Sequence, residues 1–371
     1  MKNKLYLSQI ANSAYAYLTA IVVIFLAMVT SRLYLDGFVQ GLDYGIFFPD
    51  GVHYAYKTLT FAGLSESQAS DQVANWFTVH GNSNSIIEAK FLQDEFNPVF
   101  HIVKYRILYS ILSIPFVSIF GIMGMVAVPI LVTLAIFLLI GYYGFKTQTK
   151  AITLVLLLIL STSFTFPRWM ISDLTDPLLA GLVFLVIPTL RIKSEKVQLI
   201  TISILILLSS LTRLSAPYWI AIGVVLFIQH KKVHAAIVTI LGIGLGIPVL
   251  KTIISGVGSD SSQSNQVSIS SRAEKGLEVI FTEFAQLLLM DRIFLLLLII
   301  GFIVSALNIK KIESQLFIAV FTIGLAQEIY VGEVGVNLRY ELPAIAIMIY
   351  SIQSNYHATL NKNREIRKLF H

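Results

Sequence analysis

The stretch FFPDGVHYAY, residues 47–56, sets an aspartate, a histidine and two tyrosines about a dozen residues beyond the first strongly apolar run. A carboxylate at such a boundary can take a proton from an acceptor hydroxyl, and Asp50 is the leading candidate for that general base. Asp43 and Asp36, in the same loop, stand in reserve. Asp50 also precedes GVHYAYKTLTFAG, which has helical character, so it is placed where an N-cap would be. The two roles are compatible, because a cap holds the carboxylate still. His53 lies one turn further on and has no partner histidine at metal spacing, so no metal is assigned to it. His53 and Tyr54 are instead candidate contacts for a sugar or an acceptor.

A second constellation is RWMISDLTDPL, where Asp173 and Asp176 stand at i, i+3 with Arg168 close by. Pro177 suits the first turn of a following helix, and Asp176 is placed to cap it. Two acids and an arginine exceed what a cap needs. Carboxylates there can bind sugar hydroxyls, or a divalent ion bridging to a phosphate.

The third set is cationic: Lys104 and Arg106 in HIVKYRILYS, Arg213 in LTRLSAPYW, and Arg339 in VNLRYELP. Each alone can snorkel to lipid headgroups, but arginine near a membrane is costly and usually paired. Together they suit a phosphate or pyrophosphate, whose oxygens fit the guanidinium fork. Glu328, Glu333 and Glu341 are available as partners for Arg339. Trp76, Trp169 and Trp219 fall in or beside the same outer segments, as an interfacial aromatic belt would.

What must position these residues is a membrane bundle. Of 371 residues, 56% are hydrophobic and 13% charged, against about 25% charged in soluble domains. Apolar runs near bilayer length recur along the chain, and runs such as AITLVLLLILS lack the alternation of a transmembrane barrel. The first run is too long for a signal-peptide core and reads as a retained span. Cysteine is absent, so disulfides and thiolate metal sites are excluded. The net charge of +6 comes with no nucleic-acid motif.

Six short segments carry that charge: MKNK, KTQTK, RIKSEK, KKVH, NIKKIES and NKNREIRK. They hold 15 of the 27 basic residues and three of the 21 acids. The positive-inside rule puts all six, and both termini, in the cytoplasm. Crossings between the first acidic loop and KTQTK must then be odd in number. RILYSILSIPFVSIFG is therefore expected along or dipping into the outer leaflet, and only the apolar run after it crosses. The expectation is an all-α polytopic protein and one membrane domain over 1–371. Ten spans lie near 15–35, 124–145, 151–167, 176–191, 197–213, 216–230, 235–255, 291–308, 313–330 and 342–356. A first outer loop, 36–123, carries juxtamembrane helices. A later one, 256–290, combines a mobile Ser-rich stretch with an amphipathic helix, whose face is Leu277, Ile280, Phe281, Phe284, Leu287 and Leu288. A compact cysteine-free bundle of this kind suggests a bacterial inner membrane.

The order of these pieces resembles the GT-C superfamily of glycosyltransferases that use polyprenyl-phosphate sugars. The likeness is to the branch of protein O-mannosyltransferases and the lipid A aminoarabinose transferase. PDGVHYAYKTL is similar to that branch's Asp-x-x-x-Tyr-Ala helix, and NPVFHIVKYRILYSILSIPFVSIFG resembles its juxtamembrane segment, although the family's double proline is missing. SDLTDPLLAGLVF matches an Asp-Pro entering a span, at Asp176. LTRLSAPYW and LRYELPAIAI look like its Thr-Arg and Arg-Tyr-x-x-Pro pieces, at Arg213, Arg339 and Tyr340. The resemblance implies a GT-C-like bundle of about ten helices with Asp50 as the inverting base. It also implies that some of Arg106 (or Lys104), Arg213 and Arg339 hold the carrier phosphate. Asp173, Asp176 and Tyr340 would then bind the sugar or acceptor. The donor would be a polyprenyl-phosphate-linked sugar, the acceptor a glycan, lipid or protein, and no cofactor beyond a divalent cation is suggested. Two rivals are a lipid-linked-sugar flippase or transporter and a silent GT-C-like assembly protein. The first is disfavoured by uniformly apolar mid-span positions and by the lack of an internal repeat.

Overall fold

The computed structural model describes residues 2–38, 47–81, 83–90, 92, 103, 105–213, 215–258, 269–331 and 339–369. Among them there is no β-strand. Asp43, Lys104, Glu333 and the centre of the Ser-rich stretch lie outside the described residues.

The first apolar run becomes one long helix, α1 (Lys2–Phe38), whose interior has no proline to interrupt it. Three helices then occupy the acidic loop: α2 (Pro49–Phe61), α3 (Glu66–His80) and α4 (Ser83–Lys90). Pro49 opens α2 at a position where its missing N–H would have no partner anyway. A capping box between Ser65 and Gln68 starts α3. His53 of α2 meets Glu88 of α4 at 2.5 Å and ties the two together.

Next come α5 (Ile107–Phe120), a 3-10 segment (Gly121–Val126) and α6 (Ala127–Lys146). By composition residues 107–146 form one apolar helical stretch of 40 residues. Drawn out, that stretch would reach about 60 Å, roughly twice a bilayer's hydrocarbon core. It does not run straight. The Tyr109 hydroxyl donates to the Met125 carbonyl at 2.8 Å, which only a reversal allows. Gly121, at φ +63°, makes the turn, and Gly124 lies against the Phe116 backbone where any side chain would collide. The reversal divides the stretch into a 14-residue and a 20-residue helix.

The remaining elements are α7 (Lys150–Thr162), α8 (Thr165–Met170), α9 (Asp176–Phe184), α10 (Val186–Thr189), α11 (Glu195–Ser210), α12 (Ala216–Ile228), α13 (Lys232–Gly258), α14 (Ile269–Met290), α15 (Arg292–Leu307), α16 (Ile312–Val331) and α17 (Leu342–Leu369). Every expected span coincides with a helix or a helix pair. By length and composition three stretches could cross a membrane: Ser13–Tyr34, Ile107–Lys146 and Ile312–Ile329. A fourth qualifies if Ile280–Met290 and Arg292–Leu307, bent by 118°, count as one span. Several others, among them α7 and α12, are 10–17 residues long, shorter than the roughly 20 residues of a straight crossing.

Two helices form the centre. Every residue of α9 is buried, and so is nearly every residue of α17 from Leu342 to Gln353. A helix apolar on all sides belongs in the middle of a bundle. Around them the basic segments converge on one end. Lys150 donates to Ser13, and His357 bonds the Thr147 carbonyl. Arg191 pairs with Glu313 between the rings of Tyr143 and Tyr350. Gln229 reaches the Lys310 carbonyl. Asp176 and Arg339, at the other ends of the two central helices, therefore lie about 20 Å away.

The cysteine-free chain makes this two-ended arrangement easy to check. Single cysteines at Ser67→Cys and Lys310→Cys should react with a membrane-impermeant thiol reagent from opposite faces of sealed vesicles. Labelling of both from one face would contradict it.

Candidate functional site

At the far end from the basic segments, five stretches remote in sequence meet. Asp50 comes from the first turn of α2 and Arg106 from the residue preceding α5. Asp176 opens α9, Arg213 follows α11, and Arg339 precedes α17. Arg339 is the bridge. Its Nε donates to Asp176 Oδ2 at 2.9 Å, and its Nη2 lies 2.9 Å from that oxygen and 3.2 Å from Asp50 Oδ2. Arg213 pairs with the other oxygen of Asp176. Arg106 stands 3.7 Å from Asp50 Oδ2 and donates to the Tyr54 hydroxyl at 2.8 Å. Among the described residues, three guanidinium groups thus face these two carboxylates.

The two carboxylates differ in access. Asp176 is 3% exposed, whereas the Asp50 side chain is 28% exposed. Burial alone would raise the Asp50 carboxyl, but the charges of Arg339 and Arg106, the hydrogen bond from Arg339 and the more distant Arg213 outweigh it. The group is held below its ordinary value. It is an accessible anion clamped by cations.

Neither carboxylate caps its helix. Phe48 is the N-cap of α2 and Thr175 that of α9, and neither makes a side-chain cap bond. The cap at α2 comes from across the site, where Asp173 Oδ1 accepts the Phe48 N–H at 2.8 Å. Asp173 is fully buried and packs so closely on Gly51 that a Cβ there would overlap its carboxylate.

The residues expected to bind a sugar or acceptor all make contacts within the chain. His53, Tyr54, Asp173, Asp176 and Tyr340 are all buried. Each is engaged by neighbouring side chains or backbone. His53 faces Glu88, and Tyr54 orients Arg106 with Thr175 at 3.4 Å from its hydroxyl. Tyr340 lies under the Arg213 guanidinium, 4.4 Å from ring centroid to cation. Buried polar side chains at a site entrance are mostly satisfied scaffold, because leaving them unpaired is costly. The pair considered for a divalent ion is likewise engaged, by the Phe48 amide and by two arginines. Among the described residues, no three of His, Asp and Glu gather at metal-ligand spacing.

The tryptophans also correct the belt reading. Trp169 is buried, stacks on Phe48 at 5.0 Å and lies beneath Arg339 at 5.5 Å. Trp219 is fully buried and donates to Ser209. The Phe48–Trp169 stack joins the loop before α2 to α8, and sequence reasoning missed it. The adjacency of Trp169 to Arg168, five residues before Asp173, was the available signal.

No family model, curated protein or solved structure matches this chain.

Two outcomes follow from the geometry. Asp176→Asn removes the buried carboxylate that Arg213 and Arg339 share and should destabilise the purified protein by about 3–5 kcal/mol, whereas Asp50→Asn, at the more accessible position, should melt close to wild type. Chemical denaturation in detergent reads both. Gly51→Ala should displace Asp173 or the start of α2 and lower the melting temperature relative to the wild type, as circular dichroism would report.

Proposed function

We propose that the chain is an inverting glycosyltransferase that moves a sugar from a polyprenyl-phosphate carrier to an acceptor hydroxyl at the extracytoplasmic face of a membrane. In this reading ten helices cross the bilayer, both termini are cytoplasmic, and the arginine end of the bundle faces outward. The supporting observation is the asymmetry of the carboxylates: one partly exposed, Asp50, and one buried, Asp176, joined by Arg339. A single accessible carboxylate beside cations that a buried acid keeps in place suits a base next to an anionic leaving group. The sequence resemblance to GT-C enzymes points the same way.

The chemistry is a single displacement. Asp50 takes the proton of the acceptor hydroxyl as its oxygen attacks the anomeric carbon. The bond from that carbon to the phosphate oxygen breaks on the opposite face, and the electron pair leaves with the lipid phosphate. Arg339, Arg213 and Arg106 hold the charge that develops there. A positioned base contributes about 10²–10⁴-fold in rate.

Asp50 is a weak base while Arg339 and Arg106 face it. An incoming phosphate competes for the same guanidinium groups and loosens that hold, so donor binding raises the basicity of Asp50 at the moment it is needed.

Transfer can be followed as consumption of prenyl-phosphate sugars in membranes that overproduce the chain. Asp50→Asn should slow it at least 100-fold while donor lipid still co-purifies, as mass spectrometry would detect. Arg339→Ala should lose both transfer and bound donor. Full-rate transfer by Asp50→Asn would end the proposal.

A further inference from the structure

Two of the basic segments build a pocket of their own. Residues 190–194 join α10 to α11, residues 229–231 join α12 to α13, and α11 packs along α13. Between the two joins lies a cavity of about 350 Å³. It belongs to the end of the bundle opposite Asp50, where Arg191 meets Glu313 and Gln229 reaches the Lys310 carbonyl.

Buried polar side chains form its wall. Gln198, 8% exposed, donates to the Leu190 and Ile192 carbonyls and so fixes the turn that carries Lys193. His234, 4% exposed, also lines the cavity. Its Nδ1 stands 3.7 Å from Glu195 Oε1, and its Nε2 has no hydrogen-bond partner among the described residues. A buried polar atom without a partner calls for an explanation such as a bound group. Lys193, Lys231 and Lys232 complete the lining, in which Glu195 is the single acid among the described residues. None of these three lysines makes an ion pair among the described residues. The cavity also lies at the start of α13, where the first amides lack an intrahelical partner and the helix dipole favours an anion.

Exposed hydrocarbon begins at the rim. Val197, Ile200 and Ile204 form one exposed row on α11, and Val233, Ile240 and Ile243 form another on α13. Spacings of three, four and seven keep each row on one face of its helix. Val233 belongs to both regions, since it lines the cavity and starts its row. A soluble anion makes no use of such rows, whereas acyl chains do.

We propose that this pocket holds the phosphodiester headgroup of an anionic phospholipid from the leaflet at the basic end. The phosphate oxygens accept from Lys193, Lys231 and Lys232 beside the first turn of α13, and the acyl chains follow the two exposed rows. The volume sits at the low end of small-molecule sites, about 300–1,000 Å³, which suits a headgroup without its chains. The inference rests on the bundle sitting in a bilayer, as the proposed function has it, and not on sugar transfer.

Native mass spectrometry of the full chain released from nanodiscs tests it. The discs contain phosphatidylcholine alone or mixed with phosphatidylglycerol, and a third sample adds excess inorganic phosphate to the mixture. The wild type should keep a phosphatidylglycerol molecule that the added phosphate does not displace. Lys193→Gln combined with Lys232→Gln, both at exposed positions, should lower that retention about tenfold. His234→Leu, which removes the unpartnered nitrogen, should lower it too. Lys310→Gln combined with Lys311→Gln takes the same charge from the same end outside the pocket and should leave retention unchanged. The proposal is overturned if phosphatidylcholine is held equally well or if inorganic phosphate binds in place of the lipid. It is also overturned if the pocket variants retain as much as the wild type, or if the Lys310 and Lys311 control loses as much as they do. A chain that fails to enter the discs overturns the membrane reading and this inference together. One that enters and keeps no phosphatidylglycerol overturns this inference alone.

Discussion

The arrangement depends on how a nearly apolar bundle accommodates charge. Asp176 sits at the head of α9, surrounded by hydrocarbon, and is tolerable there only because Arg339 and Arg213 both reach it. A lone carboxylate at that depth would cost several kcal/mol. The same requirement fixes the arginines, since Arg339 precedes α17 and Arg213 follows α11. One buried anion therefore sets the register of three helices at one end of the molecule. The far end is closed differently, by Arg191 between two tyrosine rings and by the buried bonds of Gln353 and Ser351.

This division of labour separates strength from reactivity. Asp176 takes the best geometry of the cluster and is sealed from solvent, so it is suited to holding cations. Asp50 takes what remains: one oxygen shared with the outer edge of Arg339 and a longer approach from Arg106. An interaction that is longer and partly solvated is easier to exchange for another anion. The surrounding aromatic groups keep the guanidinium planes oriented during such an exchange, with Tyr340 under Arg213 and Trp169 under Arg339.

Much of this was legible in the residues. Apolar runs marked the helices, and the bias of basic residues toward six short segments anticipated one cationic end. Asp50, Asp176, Arg106, Arg213 and Arg339 stood out because a charge beside an apolar run is expensive enough to need a reason. What could not be read was who pairs with whom. Asp50 and Arg339 are separated by 289 positions, and periodicity within a helix says nothing about a contact between helices. The same blindness hid the bond from the Phe48 amide to Asp173 and the pairing of His53 with Glu88. A polar residue on a short helix looks the same in sequence whether it faces a cleft or a neighbouring helix. Length was misleading too. Residues 107–146 are apolar throughout, and in the structure the reversal at Gly121 divides them into two helices.

The close fit at α2 links these points. The first turn of that helix carries Pro49, Asp50 and Gly51, and each answers to a different constraint. Proline occupies a position where no N–H is needed. Glycine leaves room for the Asp173 carboxylate, which in turn holds the Phe48 amide. The aspartate between them cannot move without disturbing both neighbours. Asp50 thus owes its position to the backbone rather than to its ion pairs, and it keeps that position when an arginine turns away. Under the proposed function, a carboxylate carried by the first turn of its helix could be uncovered by its counter-ions without its backbone being displaced.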